Sequence, residues 1–171
     1  MNVPAHASGK KKILRAGLEV GLLVLLVLAI RAWQQQDLAA GEAPRLQGNL
    51  LQGPVFSLRD DPSRPTLVYF WASWCGICRY QTPVVAELAR DHRVIGIAMQ
   101  SGRDAEVVQY LKREQIDLAT LNDPESAISR QWGIRGVPAL FIVDGKGIIR
   151  FRETGYTTGP GLRLRLWLAT H

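Results

Sequence analysis

The apolar residues of the chain fall into short runs and amphipathic stretches that predict strands and helices in alternation. Residues 66–70 form a continuous apolar run with β-branched and aromatic side chains, which is typical of a central strand buried on both faces. A helix is predicted directly afterwards, and Pro83 inside it should kink it. The apolar side of this helix comprises Val84, Val85, Leu88 and Ala89.

A second strand and helix follow in the same order. Residues 94–99 predict a strand, and residues 104–115 predict a helix with Asp104 as its N-terminal cap. Two strands joined by a crossover helix imply parallel pairing with a right-handed connection. A short extended piece at 118–121 and a helix at 124–132 come next. The apolar face of the 104–115 helix comprises Val107, Val108 and Leu111.

The end of the chain predicts a β-hairpin followed by a helix. Residues 139–143 and 148–152 are strand-like, and the Asp-Gly-Lys-Gly turn at 144–147 predicts antiparallel pairing between them. The complete pattern predicts an α/β fold with a mixed sheet and helices on both faces. The final helix is predicted at 161–169, and the side chains expected to face the sheet are Leu162, Leu166 and Trp167.

A long apolar segment near the N-terminus predicts a transmembrane anchor. Residues 13–33 are close in number to the roughly 20 needed to span a bilayer. Basic residues precede the segment and few follow it, so the tail 1–12 is expected in the cytoplasm. A cleaved signal peptide is the alternative, although no A-x-A-like cleavage site follows at the right distance. In either case the remaining domain is expected to be exported.

A linker is predicted between the anchor and the folded domain. Residues 34–48 are polar and small, contain Pro44 and have no periodicity, which indicates an irregular segment. The domain is expected to extend over residues 49–171, with a short hairpin at 49–58.

The positive charge of the chain is concentrated in its N-terminal part. The formal net charge is +6, and residues 1–33 account for +4 of it. The excess of basic residues therefore reflects membrane topology, and a surface for nucleic acid is not indicated.

Both cysteines of the chain directly follow the strand predicted at 66–70, in the sequence Cys75-Gly76-Ile77-Cys78. At the first turn of a helix, this spacing brings the two sulfurs within disulfide distance. The unpaired N–H groups and partial positive charge of the helix N-terminus stabilise a thiolate at Cys75, which makes it the nucleophile. Cys78 is then the resolving thiol that releases a bound partner. Such a pair carries two electrons and needs no cofactor.

Three other uses of the two thiols are weaker. A closed zinc site needs about four ligands, and the other candidate ligands are scattered along the chain. Copper chaperones also place close thiols after a strand, but they usually lack a tryptophan before the first cysteine. A purely structural disulfide is the third alternative. The remaining candidate ligands are His6, His92, His171, Met1 and Met99.

The residues from Phe70 to Cys78, with Pro83 in the next helix and Gly136-Val137-Pro138 further on, resemble the thioredoxin superfamily. More closely, they resemble the membrane-tethered thioredoxin-like proteins of the bacterial periplasm. These are the TlpA-like group, the cytochrome c maturation thioredoxins and the copper-sensitivity suppressor D proteins, and Arg79-Tyr80 favours the last of them. The resemblance covers roughly residues 48–171. It implies a thioredoxin-like mixed sheet with helices on both faces.

The resemblance also implies the parts of the site. The Val137–Pro138 bond is expected to be cis, with the Val137 backbone beside Cys75, where it can pair with an incoming polypeptide. Trp71 is expected in the core, whereas Trp74 is expected near the disulfide surface. The residues expected to bind substrate or support Cys75 and Cys78 are Trp74, Gly76, Ile77, Val137 and Pro138.

Two positions depart from the related families. Tyr69 stands where thioredoxins carry a buried aspartate that helps to take the proton from the resolving cysteine. Deprotonation of Cys78 must therefore use water, another group or the substrate. Ala139 and Leu140 follow Pro138, where many cytochrome c maturation thioredoxins have a glutamate, and this weakens a dedicated role in haem attachment.

The sequence therefore predicts a thiol-disulfide oxidoreductase of the bacterial inner membrane, with one span and its domain in the periplasm. Its expected partners are periplasmic protein thiols and disulfides. No histidine lies between Cys75 and Cys78, unlike in strong oxidants, so a reductant is expected, with a membrane-embedded thiol electron donor. A disulfide-forming oxidase is the alternative enzyme, and a copper-binding envelope module is the alternative of another class.

Overall fold

The computed structural model of the chain describes Arg15, residues 17–26 and residues 38–170. Residues 1–36 and residues 37–171 form two separate compact units. In the first unit, residues 17–26 are helical and exposed. No helix in the described ranges is both long enough and apolar enough to cross a membrane. The other residues of the predicted anchor, and the whole predicted tail 1–12, lie outside the described residues.

The second unit contains a six-stranded mixed sheet, a separate hairpin and four helices. The sheet strands are β1 (Gly41–Glu42), β4 (Thr66–Trp71), β5 (Arg93–Met99), β6 (Thr120–Asp123), β7 (Ala139–Val143) and β8 (Ile148–Thr154), and the hairpin strands are β2 (Gln47–Asn49) and β3 (Val55–Ser57). The helices are α1 (Cys78–Leu88), α2 (Asp104–Arg113), α3 (Ala127–Gln131) and α4 (Gly159–Leu168).

The sheet order is β1-β8-β7-β4-β5-β6. β4 pairs in parallel with β5 and antiparallel with β7, and β7 pairs antiparallel with β8. The parallel and antiparallel pairings predicted from the sequence are therefore confirmed. β4 is an interior strand of the sheet. The loop that follows its C-terminal end therefore lies away from the two outer strands.

The side chains of β4 alternate between two cores, as the two-residue period of a strand requires. All six residues of the strand are buried. Leu67, Tyr69 and Trp71 belong to the core that also contains residues of α1, α2 and α4. Val68 and Phe70 belong to the opposite core, where the Trp132 ring lies 5.6 Å from that of Phe70. Three helices therefore cover one face of the sheet, and the short α3, with Ile128 and the adjoining Trp132, covers part of the other.

The N-terminal part of the domain differs from the prediction. The linker predicted at 34–48 is wrong for residues 38–48, because they belong to the folded unit and contain β1 and most of β2. Three apolar side chains explain the difference: Leu38, Ala43 and Leu46 are buried in the core on the Phe70 side of the sheet. The hairpin expected at 49–58 is present, and its first strand begins at Gln47.

Two predicted helix details are also corrected. Trp167 does not face the sheet, and 58% of its surface is exposed. Leu162 and Leu166, four residues apart, form the buried side of α4, and Trp167 projects about 100° further round the helix. Asp104 is the first residue of α2, whereas the cap position is Arg103, whose backbone N–H donates to Glu106 Oε2 at 2.6 Å.

The turn between β7 and β8 offers a test of the fold. A Cβ atom at Gly145 would overlap the backbone carbonyl oxygen of Pro62. We expect Gly145→Ala to destabilise the protein by about 1–3 kcal/mol, because backbone has to move to relieve the overlap. Gly136→Ala is the control, since a Cβ there meets nothing within 4 Å. Urea unfolding measures both variants, and equal midpoints would show that the turn adapts freely.

Candidate active site

The two cysteines form a disulfide at the start of α1. Cys75 lies in the loop after β4, Cys78 is the first residue of the helix, and their Cα atoms are 5.2 Å apart. Cys78 is completely buried, whereas Cys75 retains 7% of its surface. A partner sulfur therefore meets Cys75 first.

The helix N-terminus acts on the Cys75 sulfur directly. The backbone N–H of Cys78 points at Cys75 Sγ, with an N–S distance of 3.2 Å. This amide belongs to the first turn of α1, where N–H groups have no partner within the helix and the helix dipole is positive. A donor in this place stabilises a thiolate at Cys75 more than a thiol, and so favours Cys75 as the nucleophile.

The cis-proline loop lies on the other side of Cys75. The Val137–Pro138 peptide bond is cis, as the resemblance to the thioredoxin superfamily implied. The carbonyl oxygen of Val137 is 3.5 Å from Cys75 Sγ, although the two residues are 62 positions apart. Pro138 is buried and directly precedes β7, while Val137 is half-buried. The fold therefore brings Cys75, Val137 and Pro138 together.

Trp74 is held at the surface next to Cys75. Its indole Nε1–H donates to the carbonyl oxygen of Gln100 at 3.0 Å, and 60% of the residue is exposed. The backbone N–H of Ser73 donates to Ser101 Oγ at 2.9 Å. The loop after β5 therefore fixes the segment before Cys75. The sequence did not indicate Gln100 and Ser101 as site residues. They contact Trp74 and Ser73 from another loop, 26 and 28 positions further along the chain.

The other residues around the disulfide form an exposed apolar rim. Gly76 is exposed and has open space where a Cβ would lie, and Ile77 is 52% exposed. Tyr80, on the first turn of α1, is 76% exposed. Exposed aromatic residues are suited to contact a polypeptide partner. Tyr80 could have been found from its place two residues after Cys78.

Beneath Cys78 lies a hydrogen-bonded chain of buried side chains. The hydroxyl of Thr82 donates to the Cys78 carbonyl oxygen at 2.7 Å, so the Tyr69 hydroxyl donates to Thr82 Oγ1, at 2.9 Å. Burial raises the pKa of the Tyr69 phenol above its ordinary value, and this outweighs the opposite effect of the Thr82 hydrogen bond. Tyr69 is therefore a neutral donor and cannot serve as the base that the thioredoxin aspartate provides.

Trp71 lies in the core, as expected. It is fully buried, and its ring stacks on that of Tyr110 with centroids 5.5 Å apart. The described part of the chain contains no group of three or more His, Cys, Asp or Glu side chains arranged to hold a metal ion.

A loop after β8 connects α1 with the cis-proline loop. The backbone N–H of Gly155 donates to the Pro138 carbonyl oxygen at 2.9 Å. Two residues later, the N–H of Thr157 donates to Gln81 Oε1 at 2.6 Å. The sequence did not indicate this connection. Both donors are backbone N–H groups, which every residue except proline has, and Thr157 is 76 positions from Gln81.

Comparison with known proteins agrees with this geometry. The model of the AhpC/TSA family matches residues 39–152. A thioredoxin-like protein of Haemophilus influenzae is 34% identical over 161 residues, covering 93% of this chain and 96% of the relative. The thiol:disulfide interchange protein DsbE of Escherichia coli K12 is 30% identical over 176 residues, covering 92% of this chain and 90% of the relative.

Solved structures show the same fold. The crystal structure of a putative thiol:disulfide interchange protein DsbE from Chlorobium tepidum superposes with a TM-score of 0.68 at 22% identity, covering 78% of this chain and 99% of that one. The solution structure of a putative thioredoxin from Neisseria meningitidis superposes with a TM-score of 0.67 at 23% identity, covering 77% and 91%.

Proposed function

Because the chain belongs to the AhpC/TSA family of thioredoxin-like proteins, we propose that it is a thiol-disulfide oxidoreductase acting on cysteines of proteins in the bacterial envelope. The observation that carries the proposal is the contact between the Cys78 N–H and Cys75 Sγ, at 3.2 Å. It places a nucleophilic sulfur at a helix N-terminus, beside Val137 and at the rim of exposed aromatic residues. The names of the DsbE relatives support the same activity.

The reaction consists of two exchange steps. The Cys75 thiolate attacks a partner disulfide, an S–S bond forms between Cys75 and the partner, and one partner sulfur leaves as a thiolate. Cys78, as a thiolate, then attacks Cys75 Sγ, and the second partner sulfur leaves with its electron pair. The partner has gained two electrons, and the Cys75–Cys78 disulfide remains. A dithiol donor has to reduce it again before the next cycle.

We propose that the protein works as a reductant. Strong oxidants of this chemistry are those whose thiolate receives extra stabilisation in the reduced form. Here the dipeptide between the cysteines is Gly76-Ile77, and neither side chain donates a hydrogen bond or carries a charge. An anchor at residues 13–33 would hold the domain at the inner membrane, on the periplasmic side, where a membrane thiol donor could reduce it.

The reduction potential tests the direction of electron flow. We expect full-length protein equilibrated with glutathione buffers to show a potential near the thioredoxin value of about −270 mV. A potential near about −120 mV, which is that of a strong oxidant, would make disulfide formation the activity instead. Trapping of free thiols in intact cells with an alkylating reagent is the second measurement. A reductant should be found mainly as the dithiol, and an oxidase mainly as the disulfide.

A further inference from the structure

Gln81 carries a buried amide group whose nitrogen lacks a hydrogen-bond partner. The residue is completely buried on α1. Its Oε1 accepts from the Thr157 N–H at 2.6 Å, while Nε2 has no partner among the described residues. Leaving a buried donor unsatisfied is energetically unfavourable, so such a group calls for an explanation.

The orientation of the amide is fixed by the backbone. Because an N–H group donates to one end of the side chain, that end must be the carbonyl oxygen Oε1. The other end is therefore the NH₂ group, which has two N–H donors to offer. Thr157 holds the amide in this orientation in the disulfide form.

Gln81 lies one helical turn after Cys78. Residues i and i+3 occupy the same face of a helix, and long side chains lean back toward the helix N-terminus. The Gln81 side chain therefore leans toward the turn that begins with Cys78. Both residues are completely buried, so bulk water does not separate them.

The surroundings of Cys78 contain little else that could stabilise a negative sulfur. In the described core around it, the other titratable side chains besides Cys75 are the phenols of Tyr69 on β4 and Tyr110 on α2. Burial raises the pKa of both. At the edge of this core, Glu153 of β8 is paired with Arg165 of α4 at 2.8 Å. The remaining charged groups on α1 are the side chains of Arg79 and Glu87, which are exposed.

We propose that Gln81 Nε2 donates a hydrogen bond to Cys78 Sγ once the disulfide has opened, and so stabilises the thiolate that performs the resolving step. In the disulfide, Nε2 makes no hydrogen bond to Cys78 Sγ, which is tied to Cys75. Opening of the disulfide frees this sulfur to turn toward the donor. When Cys75 is joined to a partner, Cys78 loses its proton to solvent and its sulfur becomes a strong acceptor. The thiolate then attacks Cys75 Sγ, and the partner sulfur leaves with the electron pair. This inference rests on the proposed exchange activity.

The two steps can be timed separately with Ellman's reagent. Reduced full-length protein releases one nitrothiobenzoate when Cys75 attacks the reagent, and a second when Cys78 resolves the mixed disulfide. We expect Gln81→Met to slow the second release about tenfold at pH 7, with the first release unchanged. The midpoint of the second phase should move to higher pH, because the thiolate is harder to form.

A second variant controls for the loss of a buried hydrogen bond near Cys78. Tyr69→Phe removes a neighbouring buried hydrogen bond and should leave the second phase within about twofold of wild type, because the Tyr69 hydroxyl bonds Thr82 and does not contact the Cys78 sulfur.

The outcomes distinguish this inference from the proposed function. Equal second phases in wild type and Gln81→Met would overturn the donor role. If wild-type protein released no nitrothiobenzoate from either cysteine, the proposed exchange activity itself would be wrong, independently of the role of Gln81.

Discussion

Replacing Cys75 with serine is expected to lower the rate of disulfide exchange by about 10³-fold or more, to the level of the uncatalysed reaction. A serine hydroxyl at neutral pH supplies almost no anionic nucleophile, whereas the cysteine forms a thiolate. The Cys78 N–H that contacts the sulfur at 3.2 Å cannot compensate for that difference. The measurement is reduction of a disulfide-containing protein substrate by the full-length variant with dithiothreitol as electron source.

Ser73→Ala is the matched control for this variant. Ser73 lies two residues before Cys75, and it contacts Ser101 through its backbone N–H, which alanine keeps. The control should retain exchange within about twofold of wild type. Substantial activity in Cys75→Ser would mean that Cys78 can be the attacking sulfur in spite of its complete burial.

Replacing Cys78 with serine is expected to give the opposite kind of defect. Cys75 can still attack, but no second sulfur lies within reach to release the partner, since the described domain contains only these two cysteines. The variant should therefore accumulate covalent complexes with its partners and lose most of its turnover. Non-reducing electrophoresis and mass spectrometry of the complexes measure this result and also identify the trapped proteins.

The double variant with serine at both positions controls for non-specific trapping. It should form no covalent complex, because no thiol remains in the chain to form one. Turnover of a dithiol substrate by Cys78→Ser as fast as by wild type would reverse the assigned roles. Complexes formed equally by Cys75→Ser would lead to the same conclusion.

Elements with a strong local pattern were predictable. The run at 66–70 became β4, which extends only one residue further, because a strand between two neighbours and two layers of side chains needs a continuous apolar sequence. The hairpin of β7 and β8 was equally clear from its turn. Helix positions were correct to within a few residues, because the apolar periodicity of α1, α2 and α4 extends over about three turns.

Segments without periodicity were not predictable. Residues 38–48 have the composition of a linker, yet Leu38, Ala43 and Leu46 are buried. Their spacing follows neither the period of a helix nor that of a strand, so the sequence does not indicate their burial. Trp167 was placed on the wrong side of α4 because leucine and tryptophan at neighbouring positions allow two apolar faces. The choice between those faces depends on how α4 packs on the sheet, and this is not a local property.

The chemistry of this protein is readable in a few neighbouring residues. Two cysteines three positions apart, after a buried strand and at the start of a helix, specify the redox pair, its proposed nucleophile and the amide that contacts this sulfur, because all these groups lie within one turn of chain. The surroundings of the dithiol depend instead on contacts between distant segments. Val137 reaches Cys75 across 62 residues, Gln100 holds Trp74, and Thr157 orients Gln81 across 76 residues. These contacts exist because the packing of the sheet and its helices brings the loops to one edge, and no local pattern contains that information.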